Sequence, residues 1–110
     1  MSNSLRLFLT FLCTFCLSYS QASTILVMGD SLSAAYQLPI ENGWVHLLET
    51  RVKQQDDKID IINASISGET TQGGVSRLVS LLENKPTLVI LELGANDALR
   101  GYPLKTTKKN

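Results

Sequence analysis

Residues 25–36 read ILVMGDSLSAAY, four aliphatic side chains in succession and then, without transition, a glycine, an acid and a serine. A run of four is too short for a helix, and it lacks the apolar–polar alternation of a half-wet strand. It reads as a strand covered on both faces, as in a parallel sheet. Ile59–Ile62 (IDII) and Leu88–Leu91 (LVIL) repeat the pattern. Between these runs lie two segments of helical period. Trp44, Leu47, Leu48 and Val52 share one expected face, as do Val75, Leu78, Val79 and Leu82, and each stripe is expected to cap the sheet. Strand, helix, strand, helix, strand makes two right-handed βαβ units and so an α/β fold. Gln55-Asp56-Asp57 closes the first helix; Asn84-Lys85-Pro86 ends the second, because proline cannot continue it.

The ends of the chain do not belong to this pattern. Met1–Arg6 is polar with one cation, Leu7–Leu17 (LFLTFLCTFCL) is apolar apart from Thr, and Ser18–Ala22 supplies small residues. That is the layout of a secretory signal peptide cleaved near Ala22, leaving Ser23 first and the protein exported. Eleven residues at about 1.5 Å each span only half of a hydrocarbon core of roughly 30 Å, so no stable membrane span is expected. Cys13 and Cys16 lie inside that run; cleavage removes both, and with them any disulfide or Cys-metal chemistry. Residues 23–102 hold all three strand runs. The tail, residues 103–110, carries Lys105, Lys108 and Lys109 and follows an expected active-site loop, so it reads as divergent or truncated.

Ten basic residues balance ten acidic ones, without a basic stripe. No nucleic-acid partner is implied. Removing residues 1–22 leaves fewer than the roughly 100 residues at the low end of a usual domain. Three strands with one open edge bury too little surface for a robust unit, so the chain reads as an N-terminal part.

In such a sheet the ligand crevice opens beyond the carboxyl ends of the strands. All three ends carry small and hydrogen-bonding residues: Gly29-Asp30-Ser31-Leu32-Ser33, Asn63-Ala64-Ser65-Ile66-Ser67-Gly68-Glu69-Thr70, and Gly94-Ala95-Asn96-Asp97. Ser31 suits a nucleophile on an exposed turn, placed where a following helix would add its N-terminal field. A bare helix cap at Asp30 or Ser31 explains the same dipeptide. Gly68 allows a second backbone N–H to approach, and the Asn96 amide adds a third donor for an oxyanion. Taken singly, Gly68 is an ordinary turn glycine and Asn96 or Asp97 an ordinary cap.

Together, in this order, the three blocks resemble those of the SGNH (GDSL) hydrolase superfamily. Over ILVMGDSLSAAY, NASISGET and LELGANDALRGY they are similar to its periplasmic acyl-CoA thioesterase, lysophospholipase and arylesterase group. The resemblance implies a flavodoxin-like three-layer α/β/α fold with a parallel sheet. It implies Ser31 as nucleophile, with its own N–H, the Gly68 N–H and the Asn96 side chain as oxyanion donors, and Asp30 shaping the turn. It further implies a periplasmic monomer that needs no cofactor or metal and cleaves a small-molecule acyl ester or thioester, lysophospholipid included.

The superfamily's Asp-x-x-His block, source of the general base, has no counterpart in this sequence. His46, the one histidine, lies about 200° around its helix from Trp44 and is expected to face solvent rather than act as base. Glu92 falls in an otherwise apolar run, where it reads as a strand-end or paired acid without a catalytic role. Two other readings stay open: an SGNH carbohydrate O-acetyl esterase, which uses the same blocks, and a degenerate relative that binds without hydrolysing.

Overall fold

The computed structural model describes residues 22–110. The apolar run with Cys13 and Cys16 lies outside the described residues. The strand runs are all strands: β1 (Ser23–Gly29), β2 (Ile59–Asn63) and β3 (Leu88–Glu92). They form one parallel sheet in the order β2-β1-β3. β1 lies centrally, and its Leu26, Val27 and Met28 are at most 1% exposed. Aliphatic side chains with no polar break can pack only where both faces are covered, and this strand is also the one with partners on both edges.

Helix α1 (Trp44–Gln55) follows a 3-10 turn at Ile40–Asn42 and crosses back to β2. It stops at Asp56, whose N–H reaches the Val52 carbonyl at 2.9 Å and whose Oδ1 accepts the Lys58 N–H at 3.0 Å. Helix α2 (Thr71–Leu82) begins with Thr70, whose hydroxyl oxygen accepts the Gly73 N–H at 3.2 Å. Its exit is the expected one: Lys85, before Pro86, takes a φ of 50°. Two short helices follow, α3 (Ala95–Leu99) and α4 (Leu104–Lys109). The tail returns to the sheet end, with Asn110 Nδ2 donating to Thr71 Oγ1 at 3.0 Å.

Three expectations need correction. The stripe on α1 is displaced by one residue. Val45 is the buried position, with Leu48 and Val52 half-buried, whereas Trp44 and Leu47 are exposed. Val45, Leu48 and Val52 fall at i, i+3 and i+7, one face of the helix, and Trp44 lies 100° behind it. The stripe on α2 is only partly covered: Val79 is 76% exposed, and Val75 and Leu82 are exposed too. It borders an open apolar groove of about 580 Å³ lined by Met28, Leu78, Val89, Leu91 and Leu93. β3 is likewise not covered on both faces as expected, since Leu88, Val89 and Leu91 are exposed. Finally, no helix follows Ser31. Residues 31–37 form turns, closed by Ala34 N–H to Asp30 O at 2.9 Å and Tyr36 N–H to Ser31 O at 3.0 Å. The left-handed φ values of Ala35 (54°) and Gln37 (59°) interrupt any helix there, and Pro39 disfavours helical angles at Leu38. The helix-terminus field expected at Ser31 is therefore absent from this turn.

Candidate active site

All three candidate segments reach one end of the sheet, where β1 and β3 end level and β2 stops two residues earlier. Val27 pairs with Asn63, and Gly29 with Glu92. Past the last ladder residues, Ala64 N–H still reaches Val27 O at 2.8 Å, and Ile66 N–H reaches Gly29 O at 3.0 Å. The segment after β2 is thus laid against the turn after β1.

That turn is held from three directions. Asp30 is 2% exposed, and its Oδ1 accepts the Leu32 N–H at 3.1 Å, which folds the chain back around Ser31. Ser65 Oγ accepts the Gly29 N–H at 3.0 Å, and Asn63 Nδ2 donates to Ser33 O at 2.8 Å. From β3, Glu92 Oε2 accepts the Ser33 hydroxyl at 2.9 Å and the Asp30 N–H at 3.3 Å. Gly29 makes this convergence possible. A Cβ there would stand 2.5 Å from Ser33 Oγ and 2.9 Å from Glu92 Oε2, closer than side chains pack. Ser31 itself is half-buried, at the mouth of the turn.

Gly68 occupies the third position of a turn closed by Glu69 N–H to Ile66 O at 3.1 Å. Its φ of 80° is the left-handed value that a type II turn demands there, so glycine is required by the backbone. Around it the loop is clamped. Arg77 on α2 donates Nε to Glu69 Oε2 at 2.9 Å and Nη1 to Ala64 O at 3.0 Å. Its Nη2 lies 2.9 Å from the same carboxylate oxygen, in ion-pair contact without hydrogen-bond alignment. Arg100 donates Nη2 to Gly68 O at 2.9 Å.

Asn96, in the first turn of α3, joins the two loops. Its Nδ2 donates to Glu69 O at 3.0 Å, beside Gly68, and to Asp30 Oδ2 at 3.3 Å, beside Ser31. Asn96 thus ties the residue before Ser31 to the residue after Gly68, without a hydrogen bond to Ser31 or Gly68 themselves, and both hydrogens of its amide already have acceptors. Asp97 serves the scaffold. It is 2% exposed and accepts both the N–H and the hydroxyl of Thr71, which ties α3 to the start of α2. Donation from the Thr71 hydroxyl holds the Asp97 carboxyl below the usual carboxylate range, against the opposing effect of burial.

His46 is exposed and lines a hollow with Ser33, Asn63 and Ser65. Among the described residues no group of three or more His, Cys, Asp or Glu could hold a metal ion, and no helix is long and apolar enough to cross a membrane. Sequence reasoning missed Arg77, since nothing in a helix marks an arginine that reaches back eight positions to Glu69. It also left Glu92 without a partner.

The sequence and the fold have counterparts in known proteins. The chain is 52% identical over 99 residues to an arylesterase of Vibrio mimicus, covering 87% of this chain and 50% of that one. It is 40% identical to an Escherichia coli protein named as thioesterase, protease and lysophospholipase, covering 98% of this chain and 52% of that protein. Among solved structures, the psychrotrophic esterase EstA of Pseudoalteromonas sp. superposes with a TM-score of 0.73 at 53% identity, over 79% of this chain and 48% of that one. The chain spans about half the length of each of these relatives. With the sequence model of the family described as GDSL-like lipase/acylhydrolase matching residues 27–110, the chain belongs to that family.

Proposed function

We propose that this chain carries the nucleophile and the oxyanion donors of a serine hydrolase that cleaves small acyl esters or thioesters. The observation that carries the reading is the Asn96 amide, which bridges the residue before Ser31 and the residue after Gly68. Ser31 Oγ attacks the substrate carbonyl and forms an acyl-enzyme as the alcohol or thiol departs. The Ser31 N–H, the Gly68 N–H and the Asn96 side chain meet the charge that develops on the carbonyl oxygen. The Pseudoalteromonas esterase was solved inhibited by monoethylphosphonate, a reagent class suited to an attacking oxygen nucleophile. Residues 1–22 serve as an export signal, residues 23–102 form the N-terminal part of the hydrolase domain, and the protein works as a periplasmic monomer. Lysophospholipid is among the substrates that the relatives' names support.

General-base assistance is worth about 10² to 10⁴ in rate, so the 110-residue chain by itself is expected to turn over p-nitrophenyl esters very weakly. The decisive experiment joins the chain to the C-terminal half of the Vibrio mimicus arylesterase, which the match does not cover, and follows p-nitrophenyl ester hydrolysis. Ser31→Ala should abolish turnover. A fused protein that hydrolyses the ester equally well with and without the Ser31 hydroxyl would refute the assignment.

A further inference from the structure

We propose that Glu92 is a positioning residue for Ser31: a single carboxylate oxygen, brought in from the neighbouring strand, grips the chain on both sides of the nucleophile. The inference rests on the reading of Ser31 as nucleophile and adds to it how the serine is aimed. Glu92 breaks an apolar run, LVILEL at residues 88–93, and ends β3 directly opposite Gly29. Its Oε2 accepts the Asp30 N–H, the amide immediately before Ser31, at 3.3 Å. The same oxygen accepts the hydroxyl of Ser33, two residues after Ser31, at 2.9 Å. Ser33 is 2% exposed, so its hydroxyl has no access to bulk water, and the carboxylate is the acceptor that satisfies it. The ion pairs among the described residues are Lys53–Glu49, Lys53–Asp60 and Arg77–Glu69. Glu92 takes part in none of them, which leaves its charge directed at the turn. The Ser33 hydroxyl bond at 2.9 Å anchors the turn after Ser31, and the longer Asp30 N–H contact at 3.3 Å tethers the Gly29–Asp30 peptide before it. Tethered before and after, the turn carries Ser31 in one place, and with it the hydroxyl and the N–H that meets the oxyanion.

The proposal also accounts for Gly29. Hydrogen at this Cα, where a Cβ would collide with both Ser33 Oγ and Glu92 Oε2, is what lets the carboxylate reach the turn. An acid at position 92 and a glycine at position 29 are two halves of one contact.

A misplacement of about 1 Å in a reacting group costs on the order of 10²-fold in rate. Glu92→Ala is therefore expected to lower kcat by about 10- to 100-fold in the chain joined to the arylesterase half, with KM moved only a few-fold. Glu92→Gln retains a carbonyl oxygen at the same reach and should recover most of the rate. A second arm needs no catalysis. In the 110-residue chain, amide exchange at Asp30 should accelerate in Glu92→Ala and stay slow in Glu92→Gln, while the β1 amides of Leu26, Val27 and Met28 keep their protection. Unchanged kcat in Glu92→Ala, or Gln performing no better than Ala, overturns the proposal. So does acceleration spread evenly over β1, since that reports general loosening of the sheet. A joined protein that is inactive without any substitution at position 92 counts against the Ser31 reading alone, and the exchange arm then decides the role of Glu92.

Discussion

Replacing Asn96 by Ala separates an oxyanion donor from a clamp, and the structure sets the expected size of the effect. An amide nitrogen has two hydrogens. Those of Asn96 go to Glu69 O at 3.0 Å and to Asp30 Oδ2 at 3.3 Å. A carbonyl oxygen turning into an oxyanion can take one only if a present acceptor yields it. The contact at 3.3 Å lies beyond the usual range of about 2.7–3.2 Å, so Asp30 gives way and Glu69 does not. Removing a donor from an oxyanion hole typically costs about 3–4 kcal/mol. Releasing the Asp30 contact forfeits about 1 kcal/mol of that gain. The net loss on Asn96→Ala is then about 2–3 kcal/mol, a fall in kcat on the order of 30- to 150-fold at roughly 1.4 kcal/mol per decade. Because the gain arises only as charge develops, KM should stay within a few-fold. The assay is steady-state hydrolysis of a short p-nitrophenyl ester by the chain joined to the arylesterase half, alongside thermal unfolding to show that the variant is folded. A variant with intact kcat and a KM raised more than tenfold would refute the reasoning and leave Asn96 as a clamp between loops.

The remaining predictions concern the scaffold. The lowered Asp97 pKa means that its contribution to stability is complete above the unfolded carboxyl value of about 4 and is lost as the pH falls from there through the folded value. Asp97→Asn should therefore lower the urea midpoint near neutrality and flatten the decline below about pH 4; an equally steep acid decline in the variant would contradict this. Leu26→Ala, at a fully buried position in the central strand, should cost about 2–5 kcal/mol in urea unfolding. Val79→Lys, at a site 76% exposed, should stay within about 0.5 kcal/mol of the parent, and a large loss there would show that the α2 stripe is covered after all.

The sheet was legible in the sequence because a strand buried on both faces has a composition that little else shares. Ile25–Met28 satisfied that condition, and the structure gives it neighbours on both edges. The helical stripes were less legible. Periodicity states that residues share a face, whereas burial depends on what lies opposite. Val79 belongs to a clear stripe and is 76% exposed, because nothing among the described residues packs over it. The expected helix after Ser31 failed for a local reason, the left-handed backbone at Ala35 and Gln37 ahead of Pro39.

The candidate site divides in the same way. Topology alone predicts that the residues just beyond three parallel strands will meet, so Ser31, Gly68 and Asn96 could be picked out by position. The pairings inside the cluster could not. Whether Asn96 offers its hydrogens to substrate or to Asp30 and Glu69 is decided by separations of a few tenths of an ångström between segments 27 and 66 positions apart. One intermediate kind of signal lies between these extremes. Glu92 violates the apolar rule of its own strand, and burying a carboxylate is costly unless donors are waiting for it. The violation therefore announces a partner without naming one, and the sheet register supplies the name by setting Glu92 opposite Gly29. A local rule broken at the functional end of a sheet is thus better evidence of a built contact than a motif letter that obeys every rule, since only the former needs a compensating interaction to survive.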